Sequence, residues 1–148
     1  MYKEFLTNEK SEREGIILDY GDFRVTVARA GGANKDYAKI LERKTRPHRR
    51  AIQTGNFTNE QAKALLREVS AEAVVRRWEV QQEGKWVDGI EGPNGDLLPF
   101  SKENVLMTFN ALPDLFEDIQ EQSQKIALYK DDLLEQAAKN SLGVSSTS

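Results

Sequence analysis

The 148-residue sequence predicts an α+β, mostly helical domain: an N-terminal β-hairpin over about 15–30, then a bundle of about four to five helices. Three observations predict it. Phe23, Val25 and Val27 alternate with Arg24, Thr26 and Ala28, the two-residue period of a strand with one buried face. Downstream, apolar residues recur at helical spacing of three and four. Between two helical blocks, the segment 80–100 gathers Gly84, Gly89, Gly92, Pro93 and Gly95, the composition of a turn-rich insertion.

Composition bounds the rest. With 39% hydrophobic and 30% charged residues, the chain is globular in character but polar, and its length suits one domain with one modest core. That domain is expected over 15–139, with 1–14 a flexible polar lead-in and the Ser/Thr-rich 140–148 a disordered tail. A net charge of −3 provides no global basic field for nucleic acid or acidic membranes. The absence of cysteine excludes a disulfide scaffold, thiolate zinc sites and cysteine nucleophiles, and fits a reducing interior. A single histidine excludes His-rich metal sites. The N-terminus lacks the apolar core of a signal peptide, and nothing approaches the ~20 apolar residues of a membrane span. The expected location is the cytoplasm of the cell that makes the chain.

The elements follow in order. Ile16 to Tyr20 forms the first hairpin strand and Gly21-Asp22 its turn. Gly31-Gly32 lets the backbone change direction; without GxxxxGK[ST] or GxGxxG, backbone clearance explains the pair better than a phosphate loop. Asn34 is placed to cap a helix through Lys44, and Pro47 must restart or kink it. Phe57-Thr58-Asn59-Glu60-Gln61 combines a hydrophobic staple with a capping box, predicting a helix that reaches Trp78 or Glu79. Its apolar residues fall on two faces: Ala62, Leu65, Leu66, Val69 and Ala73 on one, Ala71, Val74, Val75 and Trp78 on the other. Trp86-Val87 and Leu97-Leu98 are short extended pieces that can pair with each other or enlarge the hairpin into a sheet. Ser101 caps the next helix, and Pro113 starts the last one, whose seam is Leu115, Ile119, Ile126, Leu133 and Ala137.

Little in this pattern points to catalysis, and neither an enzyme activity nor a cofactor is expected. His48 lies among cations with no second ligand at i+3 or i+4. The adjacent pairs Glu117-Asp118 and Asp131-Asp132 diverge around a helix instead of facing across a cleft. Asp88, Glu91 and Asp96 lack calcium-loop spacing. The strongest charge feature is the run RKTRPHRR, with Arg43, Lys44, Arg46, Arg49 and Arg50 as a candidate basic patch for phosphates or an acidic protein surface. No aromatic residue interrupts it, which argues against base stacking. Residues Asp114 to Lys139, with seven acidic and three basic side chains, can balance that charge. Candidate partner-binding residues are Val74, Val75 and Trp78 on one helix and Phe116, Ile119, Ile126 and Leu133 on another. Ile119, Ile126 and Leu133 are spaced by seven, the seam an apolar partner helix would use, although packing within the chain accounts for it equally.

The order WEV…KWVDGIEGPNGDLLPFSKENVLMTFNALPDLFEDI resembles the tail assembly chaperones of long-tailed bacteriophages. Upstream, DYGDFRVTVARAGGANKDYAKILERKTRPHRRAIQTG is similar to their hairpin, glycine and basic-helix sequence, so the resemblance spans about Gly15 to Ala138. It implies a nonenzymatic protein of the host cytoplasm, absent from the mature virion, that binds the tape-measure protein and brings tail-tube subunits to it. It also implies, in many members, a frameshifted longer form, of which this chain would be the short version; a homo-oligomer is expected as well, because self-association is a natural way to follow a long client. Two other readings stay open: a minor virion protein of the tail or head–tail junction, and a nucleic-acid-binding regulator acting through the basic patch.

Overall fold

The computed structural model describes residues 2–130. Strands β1 (Ile16–Asp19), β2 (Phe23–Val27), β3 (Val75–Gln82) and β4 (Lys85–Asp88) make an antiparallel sheet in the order β1-β2-β3-β4, and β5 (Ile90–Glu91) pairs with β6 (Leu97–Leu98) beside it. Helices are α1 (Glu9–Glu14), α2 (Lys35–Thr45), α3 (Arg49–Gln53), α4 (Asn59–Ala73), α5 (Lys102–Ala111) and α6 (Pro113–Gln122), with 3-10 turns at Tyr2–Phe5, Arg46–His48 and Ile126–Tyr129. The fold is thus α+β and mostly helical, as the periodicities indicate.

The hairpin forms where alternation places it. Asp19 accepts from the Gly21 N–H through Oδ1 at 2.8 Å, and the Tyr20 N–H closes the turn on the Phe23 carbonyl. Val25 and Val27 point to the core, and Tyr20 stacks on Phe23 while its hydroxyl donates to Asp118 at 2.6 Å. Burial and the Asp118 carboxylate both push the Tyr20 hydroxyl well above its ordinary range. Helix α4 opens on the expected capping box, Thr58 and Gln61 each satisfying the other's backbone N–H. It is covered on two sides by its own chain. Leu65, Val69 and Ala73 pack with Tyr37, Ile40, Leu41 and Phe57, whereas Ala71 joins the main core.

That helix ends at Ala73, not at Trp78, and β3 begins at Val75. Val75 opposes Val27 and Arg77 opposes Thr26, so Arg76 is the extra residue of a β-bulge. The bulge brings Val75 and Trp78 to the same buried face although they are three apart, a spacing that reads as helical. Arg76 itself reaches the Arg13 carbonyl at 3.1 Å and Asn34 Oδ1 at 3.0 Å. Trp86-Val87, within β4, enlarges the sheet through β3, and Leu97-Leu98 pairs with Ile90-Glu91.

Three further expectations are corrected. The segment 1–14 is not a loose lead-in from residue 2 onward: α1 is capped by Asn8 and carries Glu12, which is buried. One Glu12 oxygen accepts from the Arg29 guanidinium at 3.1 Å and the Ala33 N–H at 2.8 Å, and the other from the Thr7 hydroxyl. Gly32, at φ +55°, leaves room for this carboxylate, since a Cβ there would lie 1.8 Å from Glu12 Oε2. Helix α6 stops at Gln122, short of the seam through Ile126. The Ser123 hydroxyl bonds back to the Gln120 carbonyl and its own carbonyl accepts from Ala30, so the chain turns away there. The Leu133 and Ala137 part of that seam, and the tail 140–148, lie outside the described residues. Asn34 does precede α2, but its side chain makes no cap and instead donates to the Arg29 and Ala73 carbonyls.

Candidate interaction surface

The main core is where three elements converge. Trp78 sits edge-on to Phe100 at 6.0 Å and donates its indole N–H to the Leu98 carbonyl. Phe109 of α5 meets Phe116 of α6 at 5.3 Å. Consequently Val74, Val75, Trp78, Phe116 and Ile119, five residues expected to meet a partner, are all at most 4% exposed and belong to this core. The cause is the sheet: the face that carries Val75 and Trp78 must be covered by α5 and α6, and those helices turn Phe109, Phe116 and Ile119 inward to cover it. Ile126 is half-buried on a 3-10 turn, and Leu133 lies outside the described residues.

The exposed apolar surface is elsewhere. Met107 (45% exposed) and Leu112 (52%) stand on the outer side of α5 and at its end. With Pro93, Leu98 and Ala111 they line a groove of about 240 Å³ between the β5–β6 turn and α5, with Glu91 its one charged side chain and Leu97 exposed on the same hairpin. Local sequence builds this groove. Ser101 caps α5, fixing the helical phase, so that Val105, Thr108 and Phe109 turn inward and Met107 and Ala111, four apart, face out. Gly89, at φ +119°, lets β5 approach β6, since a Cβ would lie 2.9 Å from the Leu98 carbonyl oxygen. The signal available in the sequence was an apolar pair off the buried stripe of a short helix.

The basic run is partly neutralised by its own chain. Arg43 and Lys44 hold Glu72 at 2.6 and 3.0 Å, and Arg46 and Arg49 hold Glu42 at 2.5 and 3.4 Å. Burial raises the Glu72 carboxyl, but Lys44 and Arg43 outweigh it and hold the group below the usual range. The hydrogen bond from Arg46 does the same for Glu42. Arg50 makes no ion pair among the described residues. His48 stacks on Phe57 at 5.1 Å, which makes it part of the α3–α4 joint.

Among the described residues, no group of three or more His, Cys, Asp or Glu side chains converges to hold a metal ion. No described helix is long and apolar enough to cross a membrane. A family model described as YdaY prophage protein matches residues 32–140, which is most of the chain. No curated protein and no solved structure matches.

Proposed function

The chain belongs to the YdaY prophage protein family and is phage-derived, and on that premise we propose that it is a nonenzymatic tail assembly chaperone. In this reading it binds the helical tape-measure protein in the host cytoplasm, brings tail-tube subunits to it, and is left out of the finished virion. The observation that supports the reading is the open apolar groove at Pro93, Leu98, Met107, Ala111 and Leu112. A protein that shields an aggregation-prone helix needs apolar surface that stays outside its own core, and flexible Met side chains adapt to varied apolar ridges.

Co-expression with a tape-measure protein from the same prophage tests it. The wild-type chain should keep that client soluble and co-purify with it, and Met107→Glu with Leu112→Glu should abolish both effects while the melting curve stays in place. A client that remains insoluble in the presence of the wild-type chain would sink the proposal. Mass spectrometry of purified virions separates it from a minor virion protein: the chaperone is absent from mature particles, the structural protein present.

A further inference from the structure

The groove between α5 and the β5–β6 turn is apolar inside and acidic around its rim. Its volume of about 240 Å³ falls below the roughly 300–1,000 Å³ of small-molecule pockets, so it suits one or two side chains of a macromolecule. The one hydroxyl in its wall, on Thr108, already donates to the Asn104 carbonyl at 2.8 Å. Selectivity therefore has to come from the rim. Glu91 stands in the wall, and Asp96 is on the same turn, where its carbonyl accepts from the Gly92 N–H. Glu103 is one helical turn before Met107 on the same face of α5, and Asp114 follows Leu112 by two residues. All four carboxylates belong to exposed residues, and none makes an ion pair among the described residues. The segment 89–114 carries a single cation, Lys102, which at 3.6 residues per turn sits about 140° around α5 from Met107.

Strands β5 and β6 have two residues each, too short an edge for an added strand, so a helix laid along α5 is the geometry that fits. We infer that the groove takes a basic amphipathic helix. Its apolar side chains, one turn apart, enter between Pro93 and Met107, and the Lys or Arg residues flanking them meet Glu91, Asp96, Glu103 and Asp114. The inference rests on the client-binding role proposed above and adds the sign of the charge that the client helix must carry. The same rim repels nucleic acid and anionic membranes.

Fluorescence anisotropy of the full chain with two synthetic helical peptides tests this. Both peptides carry leucines at the same i and i+4 positions; one has Lys on the flanks and the other Glu. The Lys peptide should bind roughly tenfold tighter, because solvated attractions replace repulsions at several rim positions, and salt should shrink the difference. Glu91→Lys with Glu103→Lys should reverse the preference. Met107→Ser with Leu112→Ser should weaken binding of the Lys peptide although the acidic rim is intact, which separates docking in the groove from attraction to an acidic surface. Circular dichroism melts check that each variant is folded; where a charge reversal unfolds the chain, the Gln versions are used and should reduce the preference. Equal binding of the two peptides, tighter binding of the Glu peptide, or no binding of the Lys peptide overturns the inference. So does Lys-peptide binding that the Ser pair leaves unchanged. Co-expression with the tape-measure protein judges the chaperone role separately. A chain that keeps that client soluble yet binds both peptides alike retains the role and loses the charge rule; one that prefers the Lys peptide but leaves the client insoluble does the reverse.

Discussion

Trp78 and Met107 are both large and apolar, and the fold treats them in opposite ways: one is 2% exposed, the other 45%. Trp78 lies on the sheet face that α5 and α6 must cover, locked by Phe100 and the Leu98 carbonyl. Met107 lies on the far side of the very helix that does the covering. The difference teaches that apolar spacing marks a side chain as needing cover without saying whose. The same contrast holds for charge. Glu12–Arg29 is an inward pair, with the Glu12 side chain 3% exposed, whereas Glu42–Arg46 of similar chemistry lies open at 49% and 64%.

The sharpest way to break the comparison is to cut on its buried side. Trp78→Ala should cost about 3–5 kcal/mol in urea-induced unfolding, because the cavity cannot close between a sheet and two helices. Glu12→Gln comes next, at about 2 kcal/mol near neutral pH, since it leaves the Arg29 charge without its buried partner. Burial raises the Glu12 carboxyl, but the Thr7 hydroxyl, the Ala33 N–H and Arg29 together hold it below its ordinary value of 4.5. Its contribution is therefore complete above that value and disappears as pH falls through the lower folded-state pKa. Wild type and Glu12→Gln should converge in stability under strong acid, which a pH series of melts reads directly.

On the exposed side the effects shrink. Met107→Ser with Leu112→Ser should change stability by no more than about 0.5 kcal/mol. A loss comparable to that of Trp78→Ala would mean that the groove is core after all. Glu42→Gln is the smallest: the melting temperature should not move, because its partners are solvated and keep water when the carboxylate is lost.

Local signals in the sequence were good guides wherever the chain decides its structure within a few residues. The hairpin alternation, the Thr58 capping box, the Ser101 cap and Pro113 at a helix start all act at that range. They were poor guides where tertiary partners decide. Val75 to Trp78 looks helical because a bulge opposite Thr26 imitates the three-residue step. Residues 1–14 look loose because the groups that order Glu12 arrive from Arg29 and Ala33. Five of the candidate partner residues fell inside the core for the same reason: periodicity selected the strongest apolar stripes, and the core took them. Met107 and Leu112 were legible only as leftovers, after Val105 and Phe109 had claimed the inner face of α5.

Three consecutive amides after β2 have a consequence for how the domain comes apart. Ala28 donates to the Val74 carbonyl, Arg29 to that of Glu12 and Ala30 to that of Ser123, so one short segment ties the ends of α4, α1 and α6. A stretch that answers to three elements cannot open for any one of them alone. Deuterium should therefore enter Ala28, Arg29 and Ala30 together, at the slow rate of global opening, while the ends of α3 exchange early. Mechanically the segment is a keystone: tension applied at either end of the described chain reaches it, and its release and the loss of the fold are one event.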